Sequence, residues 1–93
     1  MQSEQYKISA RIINFPDGIP RIIQLRKWSW DSLEWLIAAH HTSHAEAAIA
    51  AWNAASAVDE DFEAALRSGF EYYIFAKMKC LFPDLQEEAN QNA

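Results

Sequence analysis

The sequence predicts an α+β fold in which an N-terminal β-hairpin or ribbon feeds three α-helices. Three observations carry that expectation. Residues 6–14 (YKISARIIN) and 19–26 (IPRIIQLR) are Ile-rich runs of strand length with Pro16-Asp17-Gly18 between them. From Trp30 onward, large apolar residues return every three or four positions, the helical period. Charge divides at the same place. Residues 1–27 carry five basic against two acidic side chains, net +3, whereas residues 28–93 carry three against eleven, net −8, for a total of −5.

The hairpin follows from its turn. Pro favours the first central position of a type I turn, and Gly takes the left-handed conformation that follows it. Two registers are compatible with the pattern. A three-residue loop opposes Phe15 to Ile19 and gives two mixed faces. A slip by one gathers Lys7, Ser9, Arg11, Ile22, Gln24 and Arg26 on one side. A single residue of slip inverts every side chain, so the sequence leaves both open.

The first helix is expected to start at Ser29 as N-cap, with Asp31 in its first turn and Trp30, Leu33, Leu36 and Ile37 as its inner stripe, ending near His40-His41. Ser43 followed by Glu46 is a capping box, opening a second, Ala-rich helix through about residue 57. Its large apolar groups are Ile49 and Trp52, and its small side chains permit close helix approach. Asp59 is the expected N-cap of a third helix over about 60–79. There Phe62, Leu66, Phe70, Tyr73, Ile74 and Met78 keep the 3.6 period and Leu81 extends it. Gly69 inside it costs about 1 kcal/mol relative to Ala, which signals a close backbone contact. Pro83 stops the helix.

Length bounds the rest. Ninety-three residues make one domain over 1–82, with a polar, mobile tail over 83–93 (PDLQEEANQNA). Half the residues (51%) are hydrophobic, including four Trp, five Phe and three Tyr, enough aromatic volume to fill a small core or one shared by a homodimer. Cys80 stands alone, which removes a disulfide framework and a Cys-based metal site and leaves it as a buried small hydrophobe. No apolar run approaches the roughly 18 residues of a membrane helix and no signal peptide is apparent, so the expectation is a cytoplasmic protein without membrane contact.

Where the second strand meets the first helix, the sequence resembles the ribbon-helix-helix repressors. Gln24-Leu25-Arg26 is followed by Trp30 five residues after the Leu and by Leu33. Trp30-Asp31-Ser32-Leu33 is similar to the aromatic-Trp-Asp-x-Leu opening of one bacterial subgroup, and residues 61–73 resemble that subgroup's last helix, with Ala65-Leu66-Arg67 and Phe70, Tyr72 and Tyr73 in place. The similarity spans roughly residues 19–78. The chain departs from it in having Arg26-Lys27-Trp28 where the subgroup has an acidic-Pro run, and in an extra helix.

What the resemblance implies is a homodimeric, sequence-specific regulator of double-stranded DNA, in which one strand from each subunit pairs antiparallel into a ribbon that enters the major groove. Ile22, Gln24 and Arg26 would face the bases while Ile23 and Leu25 turn to the core. Arg pairs with guanine, Gln with adenine, and Ile can only pack on a methyl. Ser43 and the amides of His44 and Ala45 would hold a phosphate, a role the acidic start of the third helix does not suit. Lys27 and Arg21 are further phosphate candidates, and Lys7 and Arg11 possible contacts from the first strand.

The remaining features have plainer readings. Trp28, Trp30 and Trp35 at this spacing are core or dimer aromatics before they are stacking platforms, with Trp28 the most exposed. His40, His41 and His44 straddle a helix break and read as capping or surface residues, so no metal is expected. No nucleophile has a placed base and no Gly-rich phosphate loop exists, so neither an enzyme nor a cofactor is expected. The acidic excess after residue 27 supports an alternative class: an antitoxin-like neutraliser or inhibitor that binds a basic protein partner through its helices.

Overall fold

The structure, a computed structural model, describes residues 7–58 and 61–83. Strand β1 (Ile8–Asn14) and strand β2 (Pro20–Arg26) form a two-stranded antiparallel sheet, followed by helices α1 (Lys27–Ala38), α2 (His44–Ser56) and α3 (Phe62–Leu81). β2 therefore pairs with β1 of its own chain and not with a strand of a second subunit, the pairing the resemblance implies. The turn makes that pairing cheap: Gly18 N–H donates to Phe15 C=O at 2.9 Å, Gly18 holds φ 82°, and Asp17 Oδ1 accepts from Ile19 N–H at 3.0 Å. Pro20 sits at the first residue of its strand, where a missing N–H costs least.

The register opposes Ile12 to Ile22 and Ile13 to Arg21, that of the three-residue loop. It prevails because it sends Ile13, Phe15, Ile23 and Leu25 into the core together. Phe15 reaches Trp52, with ring centroids 6.3 Å apart, and Trp30 Nε1 donates to Ser9 C=O at 2.8 Å from beneath the sheet. The opposite face is left with Ile8, Ile12 and Ile22 in water.

Helix α1 begins two residues earlier than Ser29. Arg26, in extended conformation, is its N-cap and gives no side-chain cap, so the chain passes from strand to helix without a loop. Leu25 and Trp30 both have to face the core, and a direct junction places them there. Ser29 is consequently buried mid-turn, its hydroxyl 3.4 Å from Glu71 Oε2, and Asp31 falls past the first turn to pair with Lys27 Nζ at 2.8 Å. Trp30, Leu33 and Leu36 form the expected buried stripe, with Ile37 at its margin. The helix ends in a Schellman motif: His40 N–H reaches Ile37 C=O at 3.0 Å, His41 N–H reaches Leu36 C=O at 2.9 Å, and His40 adopts φ 64°.

Ser43 Oγ accepts from Glu46 N–H at 3.1 Å, as the capping box requires, while the Glu46 carboxylate takes the Thr42 hydroxyl at 3.3 Å. Thr42 Oγ1 also lies 2.7 Å from Tyr73 Oη, tying the α1–α2 loop to α3. The N-cap of α3 is Asp61, whose Oδ1 accepts from Glu63 and Ala64 N–H at 3.0 and 3.3 Å. Asp59, the expected cap, lies outside the described residues, as does the tail beyond Pro83. The α3 period holds, with Leu66, Phe70 and Ile74 fully buried and Phe62, Tyr73 and Met78 packed at the edge of the core. Cys80, expected inside, is exposed, because it falls outside that stripe.

Helices α2 and α3 approach closely through Ala47, Ala48, Ala51 and Ala55, all buried, and Gly69. A Cβ at Gly69 would stand 3.2 Å from the Ala51 carbonyl oxygen and 3.3 Å from its Cα, which explains a helix-weakening glycine in mid-helix. Replacing Gly69 with Val is expected to lower stability by about 2–3 kcal/mol through overpacking, read as a drop in the urea midpoint. His40→Gly should raise stability by about 1 kcal/mol, since glycine holds the left-handed position without the Cβ penalty. The same unfolding curves check both.

Candidate nucleic-acid interface

The sheet has one face on the core and one in solvent, so alternation decides which side chains are presented. Ile22, Gln24 and Arg26 project outward while Ile23 and Leu25 are buried. From the turn toward the open end, the outer face runs through the cross-strand pairs Asn14–Pro20, Ile12–Ile22, Ala10–Gln24 and Ile8–Arg26. Ile12 and Ile22, directly opposed, are 70% and 68% exposed. Arg26 forms no ion pair with an acidic side chain among the described residues, and it stands exposed at the open end of the ribbon as last residue of β2 and N-cap of α1.

The first strand contributes differently than anticipated. Arg11 turns to the opposite face from Gln24 and Arg26, where it pairs with Glu34 at 3.1 Å and lies over the Trp30 ring. Lys7, exposed just before β1, gives its carbonyl to Lys27 N–H at 2.7 Å. Arg11 is thus a clamp between the sheet and α1, and the Ile12 side chain occupies the outward place.

Arg21 is engaged as well. Its guanidinium bonds Asp17 through both nitrogens, at 2.9 and 3.1 Å, and lies 5.6–5.8 Å from the ring centroids of Phe15, Trp52 and Phe62. A cation on three aromatic rings, held by a carboxylate two residues into the turn, fastens the hairpin tip to α2 and α3. Lys27 is similarly committed to Asp31. Arg67, which sequence reasoning did not single out, donates Nε–H to the Gln24 carbonyl at 3.1 Å and fixes the β2 backbone behind an outward side chain. Only the packing of α3 on the outer edge of β2 reveals it, since the residues are 43 positions apart.

The N-terminus of α2 lies beside the other strand. His44 and Ala45 line a hollow of about 460 Å³ with Ile12, Ile13 and Asn14. Ser43 uses its hydroxyl on Glu46, and helix geometry leaves the amides of His44 and Ala45 without intrahelical acceptors. Outward ribbon and helix start are therefore neighbours. The three His do not converge: His40 caps α1, the His41 ring stacks on Trp35, and His44 opens α2. No group of three or more His, Cys, Asp or Glu side chains among the described residues is arranged to hold a metal ion. Trp30 is core, whereas Trp35 is more exposed than Trp28 and packs against Phe82, with centroids 5.5 Å apart.

These elements define an α+β domain, a two-stranded antiparallel hairpin carried on three helices, compatible with a ribbon-helix-helix-like arrangement. No helix among the described residues is long and apolar enough to cross a membrane. No family model matches the chain, and neither a curated protein nor a solved structure shows significant similarity to it.

The Asp17–Arg21 clasp has a pH signature. The side-chain bond from Arg21 holds the Asp17 carboxyl below its ordinary 3.8; partial burial opposes it, while the Ile19 amide and the Arg21 charge add to it. A depressed carboxyl stabilises the fold above its unfolded value and loses that contribution as pH falls through the folded value. Asp17→Asn is thus expected to lower the urea midpoint at neutral pH, with the gap to the unaltered chain closing as the solution is acidified below about pH 4. Paired urea titrations across pH 7 to 2.5 measure that gap.

Proposed function

We propose that the chain is a homodimeric, sequence-specific binder of double-stranded DNA that acts as a transcriptional regulator and reads the major groove with the outer face of its hairpin. The observation that carries this reading is the outward presentation of Gln24 and Arg26 on a two-stranded ribbon whose opposite face is the core. A ribbon of this width fits the groove, Arg presents a fork to guanine O6 and N7, and Gln matches adenine N6 and N7. The start of α2 beside β1 supplies backbone amides for a flanking phosphate. Since Arg11, Arg21 and Lys27 are held in ion pairs, backbone attraction is small and discrimination rests on few side chains. The slope of log K against log salt is correspondingly shallow.

A second reading draws on Trp28, Trp35, Phe75 and Phe82, large aromatic side chains left partly exposed on α1, α3 and the residue after α3. These and the acidic balance of the helical region suit a protein partner with a basic surface.

Selection from random duplexes tests the first reading. A preferred site is expected, and Gln24→Ala and Arg26→Ala should each weaken binding to it by about 1–3 kcal/mol while leaving the urea midpoint unchanged, because both side chains are exposed. Absence of any preferred duplex at low salt would remove the reading. Recovery of a stoichiometric protein partner, unaffected by Arg26→Ala, would replace it with the second.

A further inference from the structure

A two-stranded sheet has two outer edges, and this one protects only the edge on β2. The ladder assigns the backbone groups. Lys27 N–H donates to Lys7 C=O at 2.7 Å, and these two residues continue the pairing of Ile8 with Arg26. Hydrogen bonds therefore recur at Ser9–Leu25, Arg11–Ile23 and Ile13–Arg21, and the residues between them aim their N–H and C=O groups away from the hairpin. On β2 that edge is closed. Pro20 has no N–H to offer, Arg67 Nε–H caps the Gln24 carbonyl at 3.1 Å, and Glu63, Ala64 and Leu66 of α3 face β2 across a hollow of about 230 Å³. On β1 it is open. No hydrogen bond among the described residues reaches the outward backbone of Ile8, Ala10 or Ile12. The devices that blunt an exposed edge are absent from β1: it has no proline and no bulge, and its outward side chains Ile8, Ala10, Ile12 and Asn14 carry no charge.

A row of unpaired amides and carbonyls is complemented by another strand. We infer that two copies of this chain join through β1, antiparallel about a two-fold axis at Ala10, into a four-stranded sheet in the order β2–β1–β1–β2. The inference takes from the reading above only that the chain is homodimeric. The outward groups belong to even-numbered residues, so the axis passes through a residue and not between two. An axis at Arg11 opposes Arg11 to its own copy, and one at Ser9 opposes Lys7 to Arg11, each a destabilising pair of like charges. An axis at Ile12 sets Ala10 against Asn14 and leaves Ile8 unpaired. Centred on Ala10, each Ile8 meets the partner's Ile12, Ala10 meets its copy, and Arg11 meets Ser9. Along its outward face the strand reads Ile8-Ala10-Ile12, the same in both directions, as an isologous contact requires. Ile12, 70% exposed in the single chain, thereby gains an apolar neighbour. Assembly stops at two copies, because both remaining edges are β2. Adjacent strands are rotated by about 20–25°, so the two hairpins turn away from each other and each presents Gln24 and Arg26 as it does alone.

Sedimentation of the full chain over a dilution series reads the dimer, and hydrogen exchange reads the edge. The amides of Ile8, Ala10 and Ile12 are expected to gain protection as the dimer forms. Ala10→Pro removes the outward N–H on the axis without touching the β1–β2 ladder, and should raise the dimer Kd about 10- to 100-fold through the pair of hydrogen bonds lost. Ile8→Glu or Ile12→Lys alone should weaken the dimer, and the two together should restore it, since this register sets position 8 against position 12 of the partner. Ile22→Lys should leave it unchanged. A dimer that Ile22→Lys dissolves and Ala10→Pro spares is joined through outer faces, which would overturn the inference while the homodimeric reading stood. A chain that stays monomeric at millimolar concentration would overturn both and leave the edge to a strand of a different protein. Absence of a preferred duplex, with the dimer and its edge protection present, would remove the DNA reading and uphold the inference.

Discussion

The structure depends on a junction that contains no loop. Leu25, next to last in its strand, is fully buried, Trp30 is buried one turn into α1, and only four residues separate them. With Arg26 acting as both last strand residue and helix N-cap, the rotation of β2 about its own axis is set by the helix it feeds. Two-residue alternation then leaves no choice for Ile22, Gln24 and Arg26, which must point away from the helices. The first strand inherits its orientation from the ladder, and the position of every outward group follows from two apolar side chains that face the other way.

The charges are arranged around the same constraint. A small domain gains little from an isolated surface ion pair, yet here the basic side chains near the sheet are placed so that their stems and guanidinium planes cover aromatic rings. Arg11 lies over Trp30 and Arg21 over Phe15, Trp52 and Phe62. Both join the hairpin to the helical layer across the rim of the core. Of the N-terminal positive charge read from composition, Arg11 and Arg21 are thus taken up at the rim of the core, Lys27 pairs with Asp31 at the surface of α1, and Arg26 lies on the outer face of the ribbon.

Much of this was legible in the sequence. The Pro-Asp-Gly turn, the two strands, the inner stripe of α1, the Ser43 cap and the period of α3 are local patterns, and local patterns specify local structure. Gly69 was legible too, because a glycine in the middle of an otherwise regular helix asks for a neighbour. What was not legible depends on partners far along the chain. The register turned on Phe15 finding Trp52, and the start of α1 on Trp30 packing against Phe70. Arg67 and Gln24 have nothing in common until α3 folds along β2. Cys80 was misjudged because residue type favours burial while its place on the helix does not. In the candidate site, alternation puts Ile22, Gln24 and Arg26 on one face of β2 and the resemblance turned that face outward, whereas Ile12 emerges only once the register is known.

The closure of the ribbon within one chain has a kinetic meaning. Two strands joined by a tight turn are contiguous in sequence, so they assemble on the microsecond timescale typical of hairpins and add little to contact order. A ribbon built from two chains exists only above the concentration at which those chains associate. Here the outward row from Ile12 to Arg26 lies on two strands of one chain, so pairing them needs no second molecule.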